Sequence, residues 1–189
     1  MRIKKRVERI LKPSPQRDAR IMMKILREYQ DGKMNAIRKW LLECKYARLN
    51  YRNAAAISIH AKIDEGIYFP HGPCGIFVSI GAQIGKNCTI FQNVTIATNA
   101  TEGSKNLGAP IIGNDVFIGA SAVILGGVHV GNHVRIGANA TVIHDVPDNS
   151  TVVSGGGMRI LENPPGRNNS FRSFVELKPD QLKNRDYYS

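Results

Sequence analysis

A chain of 189 residues has room for one main domain and a small appendage, and it holds no apolar run of about 18 residues that could cross a bilayer. Its formal charge of +11 is unevenly placed: residues 1–53 carry 16 of the 26 Lys+Arg and 5 of the 15 Asp+Glu, so the remainder is neutral. Cys44, Cys74 and Cys88 are widely spaced, match no metal-ligand pattern and read as reduced thiols of a cytoplasmic protein. The basic start, "MRIKKRVERILKPSPQ", lacks the apolar stretch and small-residue cleavage site of a secretory signal.

The first expected unit is a basic N-terminal helical segment, residues 1–53. Apolar residues recur at helical spacing over 17–50, at Ile21, Met22, Ile25 and Leu26, then at Ile37, Trp40, Leu41 and Leu42. "YQDGKMN" around Gly32 divides them into two helices. The excess of cations suits peripheral contact with an anionic surface or a phosphorylated acceptor, or is simply a solvated helical face. No basic-aromatic pattern or zinc-finger spacing points to nucleic acid, and none is expected as a partner.

From Ala54 the pattern changes. Stepping by six from Val78 meets Ile84, Ile90 and Ile96; from Ile112 the same step meets Ile118, Ile124, Val130, Ile136 and Val142. Four residues after these anchors stand Ala82, Cys88, Val94, Ala100, Val116, Ala122, Val128, Val134, Ala140 and Val146. Glycine follows the anchor directly at Gly85, Gly113, Gly119, Gly131 and Gly137, where its tolerance of unusual backbone angles suits a turn. A period of six predicts a hexapeptide β-helix over residues 54–161, three hexapeptides to a triangular coil, with the anchors stacked inside.

Upstream the period continues through Ile57, Ile63 and Phe69, then slips by three residues before Val78, and His71 lies in the slip. A second slip, between Ile96 and Ile112, predicts a protruding loop over 102–111. Numbering the anchors puts His71 with the third, Ala120 with the ninth and Ala138 with the twelfth, all on one face of the prism. Sequences this regular break their own rule at functional sites. Beyond Leu161, residues 162–189 form a C-terminal extension that begins in the polar "NPPGRNNS".

The stretches "PHGPCGIFV", "GKNCTIFQNVTI" and "GAPIIGNDVFIGASAVILGGVHVGNHVRIGANATVIHDVPDNSTVV" resemble the catalytic domain of the hexapeptide-repeat serine acetyltransferases, over roughly residues 54–153. They resemble more closely still the serine-acetyltransferase-like O-acetyltransferases of polysaccharide biosynthesis. It implies a mainly β protein, a left-handed parallel β-helix with a small N-terminal helical segment, assembled as a homotrimer and using acetyl-CoA with no metal. His71 matches the family's general base. An imidazole titrates near neutral pH and can take a proton from an acceptor hydroxyl as it attacks the thioester. Backbone N–H groups of Gly72–Gly75 are candidate oxyanion donors.

In the family acetyl-CoA lies between neighbouring subunits along the later coils; the matching positions are Gly119, Ala120, Ser121, Gly137, Ala138 and Asn139. As structural residues these would serve only as turns and corners. Arg159 aligns with a family arginine able to meet a phosphate. Several features depart from serine acetyltransferases: Pro70 stands where they carry an aspartate, Ala109 where the loop has a second histidine, and Ser58 where an acidic residue precedes the site. Those departures favour a sugar or glycan-precursor hydroxyl as acceptor. The rivals are acetylation of L-serine in cysteine biosynthesis, and a non-catalytic scaffold. His60, His129, His133 and His144 do not match the three-histidine zinc spacing of hexapeptide carbonic anhydrases.

Overall fold

The computed structural model describes residues 14–154, 158–163 and 165. Much of the basic arm's start and nearly all of the C-terminal extension lie outside them. Helix α1 spans Pro15–Gln30 and α2 spans Ala36–Arg52. Each begins at a side-chain cap: Ser14 Oγ accepts from Arg17 N–H, and Asn35 Oδ1 accepts from Arg38 N–H. The division at Gly32 agrees with the sequence, and both helices run slightly beyond the expected limits.

From α2 the chain enters short strands: β1 (Ala56–Ile57), β2 (Lys62–Ile63), β3 (Phe77–Val78), β4 (Gln83–Ile84), β5 (Thr89–Ile90), β6 (Thr95–Ala97), β7 (Ile111–Ile112), β8 (Phe117–Ile118), β9 (Val123–Leu125), β10 (His129–Val130), β11 (Arg135–Ile136), β12 (Thr141–Val142), β13 (Ser150–Val153) and β14 (Arg159–Glu162). They build three sheets, in the orders β1-β3-β6-β9-β12, β10-β7-β4-β2 and β14-β13-β11-β8-β5. Every pairing is parallel except β13 with β14. From β3 to β12 successive strands visit the three sheets in turn, which is a parallel β-helix. Anchor stacks on anchor: Ile90 on Ile118 and Ile118 on Ile136.

All thirteen anchors are buried, Phe69 being the most exposed at 4%. The second row is buried as well, apart from Ala100, which is exposed at the start of the long insertion. Burial of this kind is worth about 1.5–3 kcal/mol per large apolar side chain.

The glycines after the anchors have a different purpose from the expected one. None of Gly85, Gly113, Gly119, Gly131 and Gly137 has a positive φ. They are small because the next coil lies against them: a Cβ on Gly119 would stand 2.6 Å from Ala138 N, and one on Gly85 2.7 Å from Gly113 O. The left-handed backbone falls three residues after the anchor, at Asn87, Asn93, Asp115, Ser121, His133 and Asn139, with φ between 55° and 59°. Asn, Asp and His tolerate that region better than most side chains.

The insertion closes earlier than its spacing suggests. Asn99 and Gly108 form an antiparallel bridge, and Ile111 already pairs in β7. The loop does not stand free either. Gly127 N–H donates to Asn106 O at 3.2 Å, and Asn106 Nδ2 donates to Ile143 O, so it lies along the coils.

The helices close the first coil. Met22, Ile25 and Leu26 join the core of the anchors. Asn50 exchanges two hydrogen bonds with Ile57, both 3.0 Å, which extends the β1 edge into α2. Asp18, 1% exposed, accepts from Arg52 and Asn53, and this contact raises the Arg52 pKa. Ile37, Trp40 and Leu41, in contrast, are exposed on α2. No described helix is long and apolar enough to cross a membrane.

A candidate active site on one corner of the coil

The residue two places after the anchor recurs on one corner of the prism. On the sheet of β5, β8 and β11 these residues are His71, Gln92, Ala120 and Ala138, following Phe69, Ile90, Ile118 and Ile136. Tyr68 bridges to Thr89, so the short segment at Phe69 belongs to the same face. The face expected from numbering the anchors through the slip is therefore the face observed.

Gln92 is the residue that sequence reasoning missed. Its Oε1 lies 2.8 Å from Nδ1 of His71. With the amide oxygen as acceptor, Nδ1 carries the proton and Nε2 keeps its lone pair, the form a general base needs. Counting two places past the sixth anchor would have found it. The ring of His71 also meets Phe91 edge-on, with centroids 5.6 Å apart at 86°, and Phe91 leans on Phe117 at 5.2 Å. His71 is exposed yet held from two sides.

The turn carrying His71 is held from below. Gly72 has φ +76°, and a Cβ there would strike Pro15 at 2.2 Å, so the start of α1 sits directly against it. Gln16 Nε2 donates to Pro70 O at 3.4 Å, and Gly75 N–H donates to Asn53 O at 3.1 Å. The second of these bonds removes an expected oxyanion donor. Gly72 N–H is likewise engaged, with Phe69 O at 3.1 Å, and Pro73 has no N–H. The Cys74 amide is the N–H of this segment with no partner among the described residues.

The six residues matched to acetyl-CoA binding stack on the same corner. Ser121 N–H donates to Gln92 O at 3.0 Å, and Asn139 N–H to Ala120 O at 2.9 Å. Gly119 N–H and Gly137 N–H are engaged with Ile136 O and Val152 O. Ser154 Oγ donates to Ala138 O at 3.3 Å. The Ala120 and Ala138 N–H groups have no partner among the described residues and can reach an amide carbonyl laid along the corner. Within each triplet the glycine admits the next coil, and the alanine N–H is left without a partner among the described residues.

Arg159 falls on β14, which turns back antiparallel on β13 and pairs Arg159 with Val153. A Cβ on Gly137 would lie 3.9 Å from Val153 Cα, so Arg159 is one step beyond the stack, and it is exposed. The reversal was not foreseen. His129 and His133 lie apart from this corner; His133 Nδ1 is 3.9 Å from Asp115.

Residues 109–144 match the model of the bacterial transferase hexapeptide family, which comprises six repeats. Over 79 residues the chain is 36% identical to the serine acetyltransferase of Synechococcus elongatus, covering 41% of this chain and 31% of that protein. Over 80 residues it is 37% identical to that of Helicobacter pylori, covering 41% and 44%. Among solved structures it is similar to Neisseria gonorrhoeae serine acetyltransferase in complex with serine, with TM-score 0.60, 30% identity, and 75% of this chain against 54% of that one. The soybean serine acetyltransferase apoenzyme gives TM-score 0.62 at 29% identity, over 76% and 56%. The chain therefore spans less than half the length of these curated relatives, and just over half of the solved chains.

Proposed function

We propose that the protein is an acetyl-CoA-dependent O-acetyltransferase with His71 as its general base. His71 Nε2 accepts the proton of an acceptor hydroxyl as its oxygen attacks the thioester carbonyl. The tetrahedral intermediate then expels the CoA thiolate, which regains the proton from the imidazolium, leaving an acetyl ester and CoA. The observation that carries this reading is the 2.8 Å contact of Nδ1 with Gln92 Oε1 on the corner that continues into Ala120 and Ala138. Acetyl-CoA along that corner, left-handed winding, a homotrimer whose neighbouring subunit closes the groove, a nucleotide phosphate at Arg159 and a cytoplasmic setting belong to the same proposal.

The relatives are serine acetyltransferases, which favours L-serine over the sugar hydroxyl put first by the sequence. A sugar hydroxyl stays as the second reading on one specific ground. Pro70 is buried beneath Gln16, so the position before the base presents no carboxylate. Release of free thiol from acetyl-CoA, followed with L-serine and with a panel of sugars, decides between them. His71→Ala should lower turnover by about 10²–10⁴ while leaving acetyl-CoA binding by calorimetry intact. Full turnover in that variant defeats the assignment of the base. Absence of acetyl-CoA binding in the unaltered protein points instead to a non-catalytic scaffold.

A further inference from the structure

A groove of about 570 Å³ opens between α1 and the first coil, beside the turn that holds His71. Arg20, Lys24 and Arg27 line its helical wall, and Met23, Ile67 and Tyr68 supply an apolar surface. Positions 20, 24 and 27 are neighbours on one stripe of a helix, so the three cations stand on the same wall of the groove. None of the three has an ion-pair partner among the described residues. Of the carboxylates on α1 and beside Gly66, Asp18 pairs with Arg52, Glu28 with Arg38 and Glu65 with Lys86. Like charges held together this way leave an unbalanced positive field over a partly apolar trough.

The groove is tied to the base through two residues. Gln16, on the same wall, hydrogen-bonds Pro70 O. Phe69, also in the lining, precedes His71 by two residues, a backbone span of at most about 7 Å. The volume lies in the range that holds a drug-sized molecule.

We propose that this groove seats the phosphate of a soluble phosphorylated alcohol, whose free hydroxyl is presented to His71. Two guanidinium groups and an ammonium match a phosphate's charge and its acceptor oxygens, and the apolar wall packs the carbon skeleton. The inference rests on the acetyl-transfer reading and on its second acceptor, a hydroxyl other than that of L-serine, which it narrows to a phosphorylated alcohol. The phosphate takes no part in the chemistry: the acceptor O–H bond and the thioester C–S bond break, and the ester C–O and CoA S–H bonds form.

The full chain is assayed for CoA release with glycerol 3-phosphate and glucose 1-phosphate, against glycerol, glucose and L-serine. A preference for the phosphorylated partner of each pair of about tenfold or more in kcat/KM is expected, residing in KM. Arg20→Gln/Lys24→Gln/Arg27→Gln should abolish that preference without altering the KM for acetyl-CoA. All three side chains are exposed, so an unchanged melting curve is expected, and Lys24→Gln alone gives a milder check. Equal use of both partners, or a preference that survives the triple change, overturns the proposal. Calorimetry with glycerol 3-phosphate, needing no turnover, separates it from the catalytic reading. Binding lost in the triple variant upholds the anion site even if no acetyl transfer occurs, and no binding refutes the site even if serine is acetylated. Triple-sensitive binding to phosphatidylglycerol vesicles without binding of the soluble phosphates also overturns it, in favour of a membrane surface.

Discussion

Gln92 joins two coils to His71: its side-chain oxygen meets Nδ1 at 2.8 Å, and its backbone carbonyl accepts from Ser121 N–H at 3.0 Å. The orientation of the His71 ring is thus built into the ladder rather than left to a loose turn. Gln92→Leu removes the acceptor that holds the proton on Nδ1, and should lower kcat/KM roughly tenfold, a fraction of what a positioned base supplies. Gln92→Glu restores an acceptor but places a carboxylate beside the imidazole. That favours the imidazolium, so the acid limb of the kcat/KM–pH profile moves to higher pH. An unmoved limb would mean that position 92 does not touch the titrating group.

Gly119 and Gly137 occupy equivalent places but face different neighbours. A Cβ at Gly119 meets backbone at 2.6 Å, whereas one at Gly137 meets Val152 O at 3.1 Å. Gly119→Ala must push adjacent coils apart and should cost about 1–3 kcal/mol. Gly137→Ala should cost less, since a shift of tenths of an ångström relieves it. Thermal unfolding checks the order, at roughly 2–4 °C per kcal/mol for a chain this long. Equal melting temperatures would contradict the close approach seen at Gly119.

Cys88 is buried in the second ladder row, and burial raises its thiol pKa from 9.0 to about 11. A backbone hydrogen bond with Val116 opposes this, and the lesser effects of nearby Asp115 and Asp64 push the same way as burial. A folded-state pKa above the unfolded one stabilises fully below the unfolded value and fades as pH rises through the folded one. Stability should therefore fall between about pH 9 and 11, on the order of 2–3 kcal/mol from this group. In Cys88→Ala the fall should be correspondingly shallower in denaturant titrations across that window. The Cys88 thiol should also resist alkylation until unfolding, whereas exposed Cys44 reacts in the native state.

Tyr46 is 3% exposed and its hydroxyl has no hydrogen-bond partner among the described residues. A buried hydroxyl without a partner costs about 1–3 kcal/mol, so Tyr46→Phe should raise the melting temperature. A lower melting temperature would show that the hydroxyl is satisfied in solution.

The repeat was legible because it is local. A buried stack of two-residue strands needs an apolar side chain every sixth residue, and the sequence supplies one at all thirteen places. The corner that joins His71 to Ala120 and Ala138 was legible for the same reason, once the three-residue slip was counted. The glycines were found but explained by the wrong cause: backbone angle is a local property, whereas the approach of Gly113 to Gly85 exists only after the coils stack.

By itself, then, the chain specified a period, a face and the histidine that breaks the period, because each follows from neighbours a few residues apart. Tertiary structure alone decided that Gln92 holds that histidine, that the Gly72 and Gly75 amides are engaged by Phe69 and Asn53, and that β14 reverses against β13. It also decided that Arg20, Lys24 and Arg27 face a groove beside the base while Trp40 faces outward. Those outcomes depend on which surfaces meet across tens of residues. Helical spacing shows that a face is apolar or charged, but not what comes to lie against it.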